Sequence, residues 1–371
     1  MGYQTHIKVD LSDKKRIICV SDMHGYMDLF LRLMDKIALT DDDALIIIGD
    51  FSNKGRYSCE MAEYVYELNK RDNVYVLAGN GEYYNTLSYK TDRNWLLRYT
   101  PRWPGSLFAT WAERLGFSEI TAENLDAVCD AIDEHYGFMI DWLHNLPLYL
   151  ESGDKIFVHS GMSEIPSDPK AVIDALLKDG EYLTRGENNT GKWVIVGHWP
   201  VYNCGEGYST NGILVNEARH IIGIDGGIST KRFYRMNALI FENSGMSCKY
   251  VHDFPIHEAA CDVDGDNSVA PIQFTWPDFA AEIIQPGEHF SLCRNLATGQ
   301  TGLVKNEHIG KSENGHKITC DSNSFFISIK KGEKIAIGDD TCSGYAYVMT
   351  ESGALGFIPK HAIGNKINEI C

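Results

Sequence analysis

Short apolar runs that stop at a polar residue dominate the first 225 positions of the chain. Ile17-Ile18-Cys19-Val20 leads into Asp22-Met23-His24-Gly25, Leu45-Ile46-Ile47-Ile48 into Gly49-Asp50, and Val74-Tyr75-Val76-Leu77 into Gly79-Asn80. Ile156-Phe157-Val158 leads into His159-Ser160-Gly161, and Val194-Ile195-Val196 into Gly197-His198. Runs this short and this rich in β-branched residues read as buried strands. Helical patterns at 27–34 and 59–68 follow the first two, which predicts βα units. A second sheet is expected from residues 155–159, 193–196, 212–215, 220–224 and 238–242. Strands of one sheet bring their ends to a common edge, so donors distant in sequence converge there.

The stretch between Gly81 and Asp154 lacks such a strand. It is aromatic (Tyr83, Tyr84, Trp95, Tyr99, Trp103, Phe108, Trp111, Tyr136, Phe138, Trp142) and helical by pattern at 122–135 and 140–146. It reads as a helical insertion at about 83–150, either a wall over the strand ends or a satellite core. Beyond 255 the character changes: Pro255, Pro271, Pro277 and Pro286 punctuate a segment without helical period. The expected organisation is a first domain at 1–255, a linker at 256–280 and a small β-rich region at 281–371. Within the last, 301–310 and 355–364 share a Gly-x-(Ile/Val)-(Pro/Lys)-x-x-x-Ile ending that resembles the closing strands of Src-homology-3-like barrels and suggests tandem duplication.

Composition narrows the function. With 371 residues, 44% hydrophobic and 23% charged, the chain has the make-up of a globular protein of more than one domain. No apolar stretch reaches 18 residues and the opening carries no secretory signal pattern, so a cytoplasmic location without membrane attachment is expected. The ten cysteines are scattered singly, which argues against a zinc finger or a disulfide framework. A formal charge of -17 speaks against a long nucleic-acid partner, because affinity for a phosphate backbone rests on Lys and Arg. From residue 271 onward nine Lys and Arg face eleven Asp and Glu, so the acidity belongs mainly to the first domain.

Asp22 and His24, two apart on a strand end, point the same way and can share one ion. Asp50 has two oxygens and can bridge two cations, while Asn80 supplies a neutral oxygen. Mixed imidazole and carboxylate donors suit manganese first, with iron or zinc as alternatives. The order and types of these residues resemble the calcineurin-like metallophosphoesterases, in particular the phosphoprotein-phosphatase branch that includes bacterial diadenosine tetraphosphatases and phage-type protein phosphatases. The resemblance spans roughly 15–255 and includes Asp225-Gly226-Gly227 after Ile224. It implies an α/β four-layer αββα sandwich with two divalent transition-metal ions. One ion falls to Asp22 and His24, Asp50 bridges, and the second takes Asn80, His159 and His198. The chemistry it implies is hydrolysis of a P–O bond by a metal-bridging hydroxide, with Lys54 and Arg185 gripping phosphate. None of the six ligands lies beyond His198, so a chain ending near residue 256 is expected to keep them.

Two motifs depart from the family pattern. Gly49-Asp50-Phe51-Ser52-Asn53-Lys54-Gly55 stands where Gly-Asp-x-x-Asp-Arg-Gly is usual, and Gly79-Asn80-Gly81-Glu82 where Gly-Asn-His-Glu is usual. The histidine–aspartate pair that serves the leaving group is therefore missing at Gly81 and Asn53. Without it, good leaving groups are favoured: nucleoside polyphosphates, activated esters or diesters. The alternatives are a serine/threonine-type protein phosphatase acting on a phosphoprotein, and a catalytically weakened metal-binding scaffold whose C-terminal region meets a protein partner.

Overall fold

The computed structural model describes residues 5–205, 208–266, 268–312 and 315–367. Met1–Gln4, which belong to the opening read for a signal pattern, and Cys371 lie outside them. The chain divides into two compact units. The first takes in the chain up to Pro200 together with Ile213–Ser229 and Arg235–Val251; the second takes in Val201–Gly212, Thr230–Tyr234 and the chain from His252.

The first unit is a pair of sheets between helices. One sheet has the strand order Gly245–Val251, Met236–Glu242, Arg16–Val20, Asp43–Ile48, Val74–Leu77, with the last three parallel. The other runs His6–Lys8, Tyr149–Ser152, Lys155–Val158, Trp193–Val196, Ile221–Gly223, Leu214–Asn216. Alternate residues of both sheets, among them Cys19, Ile46, Ile48, Leu77, Phe157, Ile195, Ile222 and Leu239, share one buried core. Strands covered on both faces must be apolar throughout, and Asp43–Ile48 is buried at every position. Helix Met27–Ile37 packs on the first sheet and the turn Tyr182–Arg185 on the second, completing the αββα layers.

The strand at 238–242, expected in the second sheet, belongs to the first. Met236–Glu242 pairs antiparallel with Arg16–Val20, aligning Ala238 with Val20 and Phe241 with Ile17. Local pattern says only that such a segment is a buried strand; its neighbour is chosen by chain topology. In the insertion, helices Asn80–Thr91, Trp95–Tyr99, Leu107–Arg114 and Leu125–His144 form a satellite core, in which Phe108, Trp111 and Tyr136 are buried and the last two rings stack at 4.7 Å. The two helical patterns expected at 122–135 and 140–146 are one helix that runs through Gly137.

In the second unit, two five-stranded antiparallel sheets repeat one plan. The first orders Thr301–Lys305, Phe290–Asn295, Ala280–Gln285, Gly315–Ile318, Ile309–Ser312; the second orders Leu355–Pro359, Tyr345–Thr350, Lys334–Asp339, Ile256–Ala259, Ile363–Ile367. Both similar stretches form strand, 3-10 turn (Asn306–His308 and Lys360–Ala362) and strand. The fourth place is filled by a following hairpin strand in one sheet and by Ile256–Ala259 in the other. Residues 256–280, expected as a linker, thus supply a strand of the second sheet, between Lys334–Asp339 and Ile363–Ile367.

Two segments that precede residue 255 are built into this unit. Tyr202 and Phe233 are buried in a core with Ala336, Tyr347, Met349, Leu355 and Phe357, and Leu355 N donates to Ser209 O at 2.8 Å. Burial of a large apolar side chain is worth about 1.5–3 kcal/mol. A chain ending at residue 255 is therefore expected to give less soluble protein and a lower thermal midpoint than the full chain. Equal yield and midpoint would contradict this reading of the two segments. No helix among the described residues is long and apolar enough to cross a membrane.

Candidate metal centre

Strand ends of both sheets of the first unit supply the cluster. Asp22 and His24 follow Arg16–Val20, Asp50 follows Asp43–Ile48, and Asn80 opens the helix after Val74–Leu77. His159 and His198 follow Lys155–Val158 and Trp193–Val196 of the other sheet. Four of these six, Asp22, His24, Asp50 and His198, have positive φ, between 49° and 63°. Left-handed backbone is uncommon outside glycine and, where several neighbours adopt it together, marks geometry imposed by the surroundings. Close approach of the loops needs glycine: a Cβ on Gly79 would lie 2.2 Å from Asp50 N, and one on Gly197 2.2 Å from Asp22 Oδ2.

Asp22, Asp50 and His159 each present a ligand atom within 4.8 Å of the others, and all three are buried. His159 Nδ1 lies 2.8 Å from Ile48 O and donates to it, which turns Nε2 toward the cluster. Nε2 faces Asn80 Oδ1 at 3.1 Å and Asp50 Oδ1 at 3.7 Å. An imidazole nitrogen, an amide oxygen and a carboxylate oxygen thus converge on one spot, the donor types of a cation site. His24 stands on the other side of Asp50, with Nδ1 4.0 Å from Asp50 Oδ2 and Nε2 3.8 Å from Asp22 Oδ1. His198 packs its ring against His159 at 5.1 Å, and its backbone N donates to Asp22 Oδ2 at 2.9 Å.

Titration behaviour fits ligands. Burial, together with nearby positive charge, lowers His24 and His198 to about 3 each, so both imidazoles are neutral. Burial and the Asp50 charge raise Asp22 well above the usual carboxylate range. Burial pushes Asp50 up, but its neighbours, the Lys54 ammonium and the Gly81 amide among them, outweigh it and hold Asp50 low. Two buried carboxylates that repel each other this way are relieved by a shared cation. Oxygen and imidazole donors in this mixture fit a divalent transition ion.

Lys54 lies in the cluster, its Nζ 3.0 Å from His24 Nε2. The Arg185 side chain is exposed, and its ion partner is Glu181, four residues earlier on the same turn. Asn53 is buried; its Nδ2 donates to Ser52 Oγ at 2.9 Å and its Oδ1 accepts from Leu107 N at 3.4 Å, tying the ligand loop to the insertion. Two buried acids escape the sequence reading. Asp225 raises no suspicion there beyond its turn motif, yet it is buried and interacts electrostatically with Asp22. Glu82 does carry a signal: an acid two residues after Asn80, in the first turn of a helix beside a ligand.

The calcineurin-like phosphoesterase family profile matches residues 15–225, more than half of the chain, and the chain belongs to that family. Its members typically bind divalent metal ions. No curated protein sequence matches the chain. Among solved structures, it is similar to a protein provisionally assigned as a diadenosine tetraphosphatase, at 16% identity and a TM-score of 0.42, over 67% of this chain and 98% of that one. It is also similar to a serine/threonine phosphatase from Saccharomyces cerevisiae, at 14% identity and a TM-score of 0.38, over 67% of this chain and 82% of that one. A metallophosphoesterase from Sphaerobacter thermophilus matches at 17% identity and a TM-score of 0.36, over 64% and 88%.

Proposed function

We propose that the protein is a metal-dependent phosphoesterase with a two-ion centre held by Asp22, His24, Asp50, Asn80, His159 and His198, manganese being the first candidate and iron or zinc the others. One observation carries this reading: His159 Nε2, Asn80 Oδ1 and Asp50 Oδ1 converge on one side of the Asp50 carboxylate, while His24 and Asp22 lie on the other. Two bound ions would supply Lewis acidity and an activated water for in-line attack on phosphorus. Asp50 spans both halves of the cluster, His159 is locked in its ligating tautomer by Ile48 O, and the neutral imidazoles offer lone pairs without losing protons. Lys54 adds one positive charge beside the ligands. As a point charge it attracts a phosphoryl oxygen without the planar two-bond grip of arginine.

The leaving group gets less help. Gly81 has no side chain, and Asn53 is engaged with Ser52 and Leu107, so neither position supplies a proton. Substrates whose leaving group departs as a stable anion fit this arrangement: nucleoside polyphosphates, activated esters or diesters. A phosphoprotein substrate is the second reading, for which the missing proton source is a handicap. Hydrolysis of p-nitrophenyl phosphate is expected to require Mn²⁺, to vanish on chelation and to return on re-addition. Turnover that is insensitive to chelation would overturn the proposal, and a metal-loaded protein inert on every activated ester would favour a scaffold.

A further inference from the structure

Glu82 is a buried charge that the chemistry above leaves unused. It is 1% exposed and sits in the first turn of helix Asn80–Thr91. Its Oε2 accepts from Asp50 N at 2.8 Å and from Gly79 N at 3.2 Å; its Oε1 accepts from Ser52 N at 3.2 Å and from Ser52 Oγ at 3.0 Å. Only the bond from Gly79 belongs to helix capping. The other three come from the loop that carries Asp50, thirty or more residues earlier in the chain.

These bonds answer a specific need. Asp50 has left-handed backbone, φ 49°, and its loop touches Gly79 so closely that a Cβ there would lie 2.2 Å from Asp50 N and 2.7 Å from Glu82 Oε2. Two backbone N–H groups thus face the same buried spot, and leaving either unpaired would be costly. One carboxylate oxygen satisfies both, which ties the backbone of Asp50 to the loop that presents Asn80. We infer that Glu82 is a positioning residue for the metal centre, clamping the Asp50 loop to the Asn80 loop and fixing the bridging carboxylate against the amide ligand. This rests on the metal-centre reading above. Glutamine cannot replace it, because whichever way its amide turns, an NH₂ group faces N–H donors where an acceptor is required.

The test compares wild type, Glu82→Gln and Ser52→Ala as full chains. Folding and thermal midpoint are measured without metal by circular dichroism, and Mn²⁺ affinity and stoichiometry by equilibrium dialysis well below each midpoint. Outer-shell partners of metal ligands typically contribute about 10–100-fold in affinity. Folded Glu82→Gln is expected to bind Mn²⁺ weaker by that factor, and Ser52→Ala, which removes one of the four donors, by a smaller factor. Glu82→Gln with a lowered midpoint but wild-type affinity would overturn the inference and leave Glu82 a helix cap. Should Glu82→Gln not fold, weakened Mn²⁺ binding by folded Ser52→Ala supports the clamp and wild-type binding overturns it. Wild-type protein that binds no Mn²⁺ would overturn the metal-centre reading itself, and this inference with it.

Discussion

Asp50→Ala should leave a folded protein that has lost both bound metal ions and its hydrolytic activity. Asp50 faces both halves of the cluster with separate oxygens, Oδ1 3.7 Å from His159 Nε2 and Oδ2 4.0 Å from His24 Nδ1. Oδ1 also accepts from Gly81 N at 2.7 Å, so the side chain is held in place independently of any ion. Its removal would take an oxygen from each ion. The loss of affinity should exceed the roughly 10–100-fold that outer-shell partners contribute. Asn80→Ala, by contrast, removes one neutral oxygen on the His159 side and should weaken mainly one ion. Elemental analysis of the two variants, with circular dichroism to establish folding, checks both outcomes. Full occupancy in Asp50→Ala would remove Asp50 as the bridge.

The second large effect concerns the leaving group. The wild-type rate should fall steeply as the leaving group becomes more basic, fast on aryl phosphates or anhydrides and slow on alkyl monoesters. General acid catalysis typically contributes about a hundredfold or more, and neither Gly81 nor Asn53 can deliver it. Installing Gly81→His with Asn53→Asp should help alkyl monoesters most, and more than the two single changes added together, because an unoriented imidazole is a poor acid. Gly81 lies in the first turn of helix Asn80–Thr91 and is not among the positive-φ glycines, so a side chain meets no backbone obstacle of that kind. A Cβ there would sit 2.9 Å from Asn53 Nδ2 and 3.0 Å from Asp50 Oδ1. Gly81→His therefore requires the residue-53 side chain to shift in the single and the double variant alike, and Asn53→Asp supplies an acceptor suited to an imidazole N–H. Rates measured across a series of phenols and alcohols test this. A flat wild-type series, or a double variant that gains equally on every substrate, would count against it.

The ligand cluster was legible because each donor ends an apolar run. A buried strand announces itself by composition, and the residues just beyond its last apolar position must lie at the sheet edge. Sheet neighbours were not legible in the same way. Met236–Glu242 and Ile256–Ala259 are strands by pattern or by pairing, but which strand each joins is decided by contacts tens of residues away, and the prolines around 255–286 masked the second as a linker. The similar endings at 301–310 and 355–364 did carry real information, since both fold as strand, 3-10 turn and strand in sheets of one plan. Glu82 shows another limit, where a residue inside the motif carries a role that stays hidden because its partners are backbone amides that no pattern of side chains reveals.

The central claim is tested most directly by the number of divalent ions that the folded wild-type chain holds. After loading with Mn²⁺ and removal of free metal, elemental analysis should return two ions per chain. A value of one would contradict the bridging role given to Asp50, and a value of zero would contradict the metal centre altogether.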